Sequence, residues 1–439
     1  MSLTHILEQL HIAKLSQMQQ EAYKAFTKTD KDVVVLSPTG SGKTLAYLLP
    51  LTELINSESE NVEAVVIVPG RELALQSAEV LKNMGTGLRA VACYGGRTAM
   101  EEHKTLRQTK PQIIFGTPGR LNDHIAKGNI SAYSVKYIVI DEFDKCLEMG
   151  FHDEMARLLK SLPGVRRRFL LSATDAEEIP GFIRLNRAIK VDYTDESQQV
   201  SDKIELYEVR SEKKDKLETL SNLLCSLGNE QSIVFLNYRD SVERTAQWLR
   251  ENGFGVSSFH GGMDQKMRED ALYKFSNGSA NVFVSTDLGS RGLDIPGVNN
   301  IIHYHLPLNE DGYIHRVGRT ARWDACGKAF FILGPEEHKP DFIDAEFKAF
   351  TLPETIPAPP RPTMATIYIG KGKKDKISKG DILGFLCKTG QLNAAEIGRI
   401  DVKDRYSYAA VNSSKLRKVL ENTKGEKIKG IKTVIEPVR

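Results

Sequence analysis

The sequence predicts an α/β protein, with two tandem parallel-sheet domains followed by a small α+β domain. Three observations predict it. Short β-rich runs alternate with helical segments through the first half of the chain, and the same alternation restarts after a polar stretch. A basic segment beyond a proline-rich linker then shows a different order of elements. At 439 residues the chain is too long for one ordinary domain. Its 41% hydrophobic and 27% charged residues are those of a folded chain, which excludes disorder as its main theme.

The first domain, residues 1–194, is read from the runs Val33–Leu36, Ala64–Val68, Arg89–Cys93, Gln112–Phe115, Tyr137–Ile140 and Phe169–Leu171. Helical patterns between them imply βαβ units and a parallel sheet covered on both faces. After the polar stretch Tyr193–Lys203, a second domain of residues 204–350 is read from Ser232–Leu236, Gly255–Ser258, Asn281–Ser285, Asn300–Tyr304 and Gly327–Leu333. Five prolines between Thr351 and Pro362 make residues 351–363 a stiff, partly extended linker. The tail, residues 364–439, reads strand, basic loop, helix, strand, strand, helix, strand. That β-α-β-β-α-β order is the ferredoxin-like arrangement used by RNA-recognition modules, among many others.

No run approaches the ~18 apolar residues of a membrane span, and Met1–Leu10 lacks the features of an export signal. The expectation is a soluble cytoplasmic protein with no membrane partner. Five scattered cysteines, with no C-x-x-C pair, argue against structural zinc and a disulfide framework. Net charge is +3, yet residues 364–439 alone carry +9, leaving −6 on the rest. A basic appendage on an acidic body points to a polyanionic partner.

Three motifs carry chemistry. Ser37-Pro38-Thr39-Gly40-Ser41-Gly42-Lys43-Thr44 lies between a strand and a helical segment, the context of a phosphate-binding loop. Its glycines let backbone N–H groups curl around phosphate oxygens, Lys43 supplies charge to the β and γ phosphates, and Thr44 offers a hydroxyl to Mg2+. Asp141-Glu142-Phe143-Asp144 ends a strand at the carboxyl edge of the sheet, where ligands bind in this class. Asp141 is placed to hold Mg2+ largely through water and Glu142 to polarise the attacking water, which makes ATP the expected substrate. His315-Arg316-Val317-Gly318-Arg319-Thr320-Ala321-Arg322 sets three arginines within seven residues. One reading is a salt-bridge cluster; the sharper one makes Arg319 and Arg322 intrachain arginine fingers.

In this order the motifs resemble the DEAD-box family of ATP-dependent RNA helicases in helicase superfamily 2. The resemblance spans both α/β domains and implies that each is RecA-like. Leu15-Ser16-Gln17-Met18-Gln19 is similar to the adenine-reading Q motif, with Gln19 on the base. Pro69-Gly70-Arg71-Glu72-Leu73-Ala74, Gly95-Gly96 and Thr117-Pro118-Gly119-Arg120 are similar to RNA-backbone motifs, which implies RNA contacts at Arg71, Gly95, Thr117 and Arg120. Ser172-Ala173-Thr174 is similar to the motif linking hydrolysis to strand separation; Ser172, Thr174, Asp144 and His315 would form that coupling. In the second domain the resemblance assigns RNA contacts to His260, Gly261 and Thr286, with Gln265 and Arg268 in the same motif, and the ribose of ATP to Asp294. Departures are Leu15 for Pro, Ser37 and Pro38 in the loop, Gly70 for Thr, Phe143 for the name-giving Ala, and Ala321 for Gly. None removes a charged catalytic group.

The tail is similar to the RNA-binding domain of the DbpA subfamily over essentially all of Thr366 to Val438. Gly372-Lys373-Lys374-Asp375-Lys376-Ile377, Gly380-Asp381-Ile382-Leu383-Gly384, Ile397–Val402 and Lys427-Ile428-Lys429-Gly430 carry the likeness. It implies an RRM-like fold, recognition of a 23S rRNA hairpin, and work in large-subunit ribosome assembly. Lys373, Lys374 and Lys376 would attract phosphates. Tyr406 and Tyr408 alternate on one strand, where they could stack bases or pack a sheet; the basic loops are the favoured RNA contacts. The expected function is RNA-stimulated ATP hydrolysis coupled to local duplex unwinding by a monomer. The alternative is an ATP-gated RNA clamp or annealing chaperone with little unwinding.

Overall fold

Val33–Leu36 (β1) is apolar at every position because both of its faces are buried. Val33 and Val35 join one core cluster, whereas Val34 and Leu36 join another across the sheet. The same double burial shapes β2 (Ala64–Ile67), β4 (Ile113–Gly116) and β5 (Tyr137–Ile140). With β3 (Ala90–Cys93), β6 (Arg167–Ser172) and β7 (Ile189–Asp192) they form a seven-stranded sheet of order β3-β4-β2-β5-β6-β1-β7, all its pairs parallel. The protein is seen here as a computed structural model that describes residues 3–38, 40–96, 99–174, 179–194, 204–287, 298–320 and 327–438.

A second seven-stranded parallel sheet follows. It consists of β8 (Ile204–Arg210), β9 (Ser232–Leu236), β10 (Val256–Phe259), β11 (Val282–Thr286), β12 (Asn300–His303), β13 (Gly327–Leu333) and β14 (Lys348–Ala349), ordered β10-β11-β9-β12-β13-β8-β14. Both sheets are the expected α/β architecture, with observed strand ends within a residue or two of those read from sequence. Three strands escaped that reading: β7, β8 and β14. β8 alternates buried Ile204, Leu206 and Val209 with Glu205, Glu208 and Arg210, so it lacks the continuous apolar run of a central strand.

The tail forms an antiparallel sheet of β15 (Met364–Ile369), β16 (Ile397–Val402), β17 (Ser407–Asn412) and β20 (Ile435–Pro437), ordered β16-β17-β15-β20. Helices Lys379–Lys388 and Leu416–Thr423 cover one face around Ile367, Ile369, Ile382, Leu386 and Val419. The final strand of the sequence pattern, read over Lys432–Pro437, is shorter in the structure. Instead Lys432 closes a small hairpin, β18 (Lys427–Ile428) with β19 (Ile431–Lys432), whose turn residues Lys429 and Gly430 both have positive φ.

The chain divides into two compact units, one built on the first sheet and one holding the second sheet and the tail. Residues 351–363 contain neither helix nor strand, and Leu352 and Ile356 pack against the core of the second α/β domain. A Cβ added to Gly255 would meet Pro362 Cγ at 2.1 Å, so the linker lies directly on that backbone.

Candidate functional site

β1 runs into the loop that precedes helix Lys43–Leu54. The helix is entered through Gly42, whose φ of +85° is left-handed. A Cβ there would come within 2.3 Å of Gln19 Nε2, so the position suits glycine on two counts. Lys43 Nζ donates to the carbonyls of Ser37 at 2.7 Å and Pro38 at 2.9 Å, which holds the loop in a tight curl. Ser16 caps helix Gln17–Lys28 and exchanges two hydrogen bonds with Gln19, while Gln19 Nε2 donates to Gly42 O at 3.1 Å. An amide has two donor and two acceptor positions, so Gln19 can serve these partners and still meet a base edge. Sequence reading placed Gln19 and the loop together; Thr39 lies outside the described residues.

β5 delivers Asp141 and Glu142 to the same sheet edge. Asp141 is 2% exposed and accepts from Glu142 N at 2.9 Å. Burial and the neighbouring Glu142 push its carboxyl up to about 7, against the pull of Lys43. Glu142 has φ +49°, a left-handed conformation that a residue with a Cβ adopts at a cost, typically retained where function needs it. Phe143 is 2% exposed within the core cluster that includes Ile140 and Leu170, so that departure from the family pattern is a packing matter. From β6, Ser172 Oγ donates to Thr174 O at 2.6 Å, and Thr174 Oγ1 donates to Asp144 Oδ2 at 3.3 Å. The expected coupling residues Ser172, Thr174 and Asp144 therefore form one chain of contacts.

The other expected contacts of this domain also cluster. Arg71 opens helix Arg71–Asn83, and a Cβ on Gly96 would stand 3.0 Å from its Nη1, so the guanidinium covers the turn beside Gly95. Gly70 caps that helix without a side-chain bond, a loss of a few tenths of a kcal/mol against a threonine. Thr117 precedes helix Pro118–Ala126, which carries Arg120. Arg120 Nε donates to Glu102 Oε2 at 2.6 Å, His124 Nε2 lies 2.9 Å from the same oxygen, and Tyr94 N donates to Oε1 at 3.1 Å. Burial raises the Glu102 carboxyl, but the bonds from His124, Arg120 and Tyr94 outweigh it and hold it below its ordinary value. Cys93 also lies within reach of an ion shared with Glu102 and His124, yet Glu102 is already engaged, so the group reads as a brace for Arg120. Sequence reading missed Glu102. It sits among the polar residues of helix Ala99–Thr109, where nothing distinguishes it from surface acids.

In the second domain His260 is 5% exposed and its Nε2 lies 3.2 Å from Glu243 Oε1. Arg239 covers Gly261, and Thr286 is buried at the end of β11. Asp264 caps helix Gln265–Ser276 by accepting from Met267 N at 2.8 Å. The three arginines of 316–322 have different fates. Arg316 is 1% exposed and chelates Asp287 at 2.5 and 2.8 Å, with further bonds to Asn237 Oδ1 and His305 O. It is a buried knot tying the ends of β9, β11 and β12, and not part of a surface cluster. Arg319 and His315 are each 5% exposed. Arg322 and Asp294 lie outside the described residues.

On the tail, Lys373, Lys374 and Lys376 are exposed on a turn fixed by Asp375, which accepts from Gly372 N at 3.1 Å and Lys371 Nζ at 3.0 Å. Lys429 reaches over from the hairpin to Lys376 O at 3.2 Å. The two lysine-rich loops, distant in sequence, thus form one basic surface.

The chain matches three family models: DEAD/DEAH box helicase over residues 16–180, helicase conserved C-terminal domain over 215–324, and DbpA RNA binding domain over 366–437. It is 34% identical to ATP-dependent RNA helicase DbpA of Escherichia coli strain K12, covering 97% of this chain and 94% of that protein. To the Bacillus subtilis strain 168 protein of the same name it is 30% identical, covering 97% and 95%. Among solved structures it resembles S. cerevisiae Dbp5 bound to RNA and ADP BeF3, with TM-score 0.66, 26% identity, and 76% and 88% coverage. The DEAD-box helicase Mss116 bound to ssRNA and UDP-BeF gives TM-score 0.70 and 26% identity, with 80% and 78% coverage.

Proposed function

We infer the detailed function from the family: the chain belongs to the DEAD-box ATP-dependent RNA helicases and carries a DbpA RNA-binding domain. As a member it binds ATP and RNA and hydrolyses ATP. Our reading is that hydrolysis drives local RNA duplex unwinding, directed by the tail to a 23S rRNA hairpin during large-subunit assembly, by a single chain in the cytoplasm. Among the described residues, no helix is long and apolar enough to cross a membrane.

The residues fit Mg2+: Asp141 is a buried carboxylate raised by its surroundings, and a divalent cation would relieve the cost of its charge. When bound, magnesium neutralises charge on the phosphates. In this reading Gln19 selects the adenine, and the N–H groups of Thr39, Gly40, Ser41 and Gly42 cradle the phosphates. Lys43 turns from the carbonyls of Ser37 and Pro38 to the β and γ phosphates, and Glu142 orients the attacking water. Asp294 takes the ribose, and closure of the two lobes lets Arg319 and Arg322 stabilise the transition state. Asp144, Ser172, Thr174 and His315 relay phosphate loss. Arg71, Gly95, Thr117, Arg120, His260, Gly261 and Thr286 hold the RNA backbone, while Lys373, Lys374 and Lys376 hold the tail's RNA.

The observation that carries this reading is the meeting of Lys43, Asp141, Glu142 and the Thr174–Asp144 contact at one sheet edge. Its test is the ATPase rate with a 23S fragment containing the peptidyl-transferase hairpin, an unrelated structured RNA and poly(A). The full chain is compared with one ending before Met364. Selective stimulation by the 23S fragment, lost on truncation, supports targeting. Equal stimulation by all three makes the tail a general RNA tether, and stimulation without strand separation favours the clamp.

A further inference from the structure

RNA-recognition modules of this topology commonly stack bases on aromatic residues of the open sheet face. Here that face carries Tyr368, Tyr406 and Tyr408, and it is covered. Tyr368 on β15 stands opposite Tyr408 on β17, and Asp401 on β16 completes the row. Helix Gln265–Ser276 of the second α/β domain lies against it. Tyr408 Oη donates to Asp270, Tyr406 Oη donates to Glu269, and Tyr273 Oη donates to the carbonyl of Arg399. The Tyr273 ring stacks on Tyr408 with centroids 4.7 Å apart and planes 25° from parallel. Lys266 Nζ stands 4.6 Å above the Tyr368 ring. At the helix end Asn277 Nδ2 donates to Thr366 Oγ1 at 2.8 Å, which in turn donates to Ser279 Oγ at 2.9 Å. Tyr408 is fully buried, and the Tyr406 and Tyr408 hydroxyls are pushed above the ordinary tyrosine value, first by burial and then by their carboxylate partners.

We propose that the tyrosine face of the tail is an intramolecular docking surface for helix Gln265–Ser276, and that it fixes the tail on the second helicase lobe instead of stacking bases. The N-terminal turn of that helix holds Gln265 and Arg268, residues of a core RNA motif, and its later turns hold Glu269, Asp270 and Tyr273. One rigid element therefore serves both RNA and tail, and the tail's basic loops stand at a set offset from the RNA-motif residues of the second lobe. A flexible tether would raise only the local concentration of RNA; a dock also sets its direction. The dock rests on the proposed function only for the choice of probe, whereas its effect on RNA direction rests on the proposed RNA role of the helix's first turn.

The test uses the full chain with fluorophores on cysteines introduced at Asn252 and Arg417, both exposed, one in each docked part. The expected result is one narrow distance distribution, unchanged by a saturating 23S hairpin fragment. Glu269→Lys with Asp270→Lys, which leaves the tail sequence intact, should broaden it; Tyr406→Phe with Tyr408→Phe should do so while keeping the rings. Hairpin affinity should stay within about threefold in the Tyr406→Phe, Tyr408→Phe chain, because its basic loops and its net charge are untouched. RNA needed for half-maximal ATPase with a hairpin-plus-duplex substrate should rise about tenfold or more. A broad distribution in the unaltered chain overturns the dock. So does separation of the labels by RNA, or tighter hairpin binding by the phenylalanine-substituted chain, since both mean that bases compete for the tyrosine rings. The distances of the RNA-free chain decide the dock even if the 23S target is wrong.

Discussion

Glu102→Ala removes a carboxylate that accepts from Tyr94 N, Arg120 Nε and His124 Nε2 while only 3% exposed. Breaking a buried, hydrogen-bonded charge pair by deleting one partner costs about 3–5 kcal/mol, because the orphaned partner keeps its desolvation penalty. At ~1.4 kcal/mol per tenfold, that is roughly two to three and a half powers of ten in the opening equilibrium of the first domain. Both tryptophans, Trp248 and Trp323, belong to the second half of the sequence, so intrinsic fluorescence would miss the change. Hydrogen exchange of amides in β4 and helix Pro118–Ala126 reads it directly, and acceleration by about a hundredfold or more is expected. The pH dependence has a definite sign. Glu102 is held below its unfolded value, so its stabilisation is complete above that value and is lost as pH falls through the folded one. The unaltered chain should therefore show an acid-side loss of protection that the variant lacks. Exchange in these segments within about threefold of the unaltered chain would refute the brace, since a solvent-exposed acid contributes at most ~1 kcal/mol.

Glu142→Gln should bind ATP and RNA normally yet hydrolyse about a hundredfold or more slowly in single-turnover assays; full activity would remove Glu142 from water positioning. Arg316→Met should destabilise the second domain by about 1.5–3 kcal/mol, the range for hydrogen bonds to a charged group, read from the denaturation midpoint of tryptophan fluorescence, since Asp287, Asn237 and the carbonyl of His305 all lose the guanidinium. Changing Lys373, Lys374 and Lys376 to glutamine should weaken RNA binding and reduce the slope of log affinity against log salt by up to about 2 to 3. Equal slopes before and after would put the RNA elsewhere.

How far the sequence reveals the fold depends on whether the information is local. β1 and β5 are legible because a strand buried on both faces must be apolar throughout, and the loop after β1 is legible because its glycines and Lys43 are consecutive. β8 is not, since alternating acids mask its buried Ile204, Leu206 and Val209. The residues proposed to face the nucleotide stand at strand ends, where order along the chain already places them at one sheet edge. Glu102 is invisible for the opposite reason: its partners are 8, 18 and 22 residues away on other elements. The roles of Tyr406 and Tyr408 were open in the sequence because stacking and packing need the same alternation, and only their neighbours Glu269, Asp270 and Tyr273 distinguish them.

The close approach of Pro362 to Gly255 bears on how tails of this kind can be exchanged between proteins. A graft that joins a foreign RNA-binding domain at residue 363 inherits a seat shaped for this one. Any residue larger than glycine at 255 in the recipient would lift the incoming linker off the lobe, and a recipient without acids at 269 and 270 would offer no acceptors to the incoming tyrosines. The transferable module is accordingly larger than the tail: it includes Gly255 and one face of a helix from the motor domain, and chimaeras cut at the linker alone would be expected to keep their affinity and lose their aim.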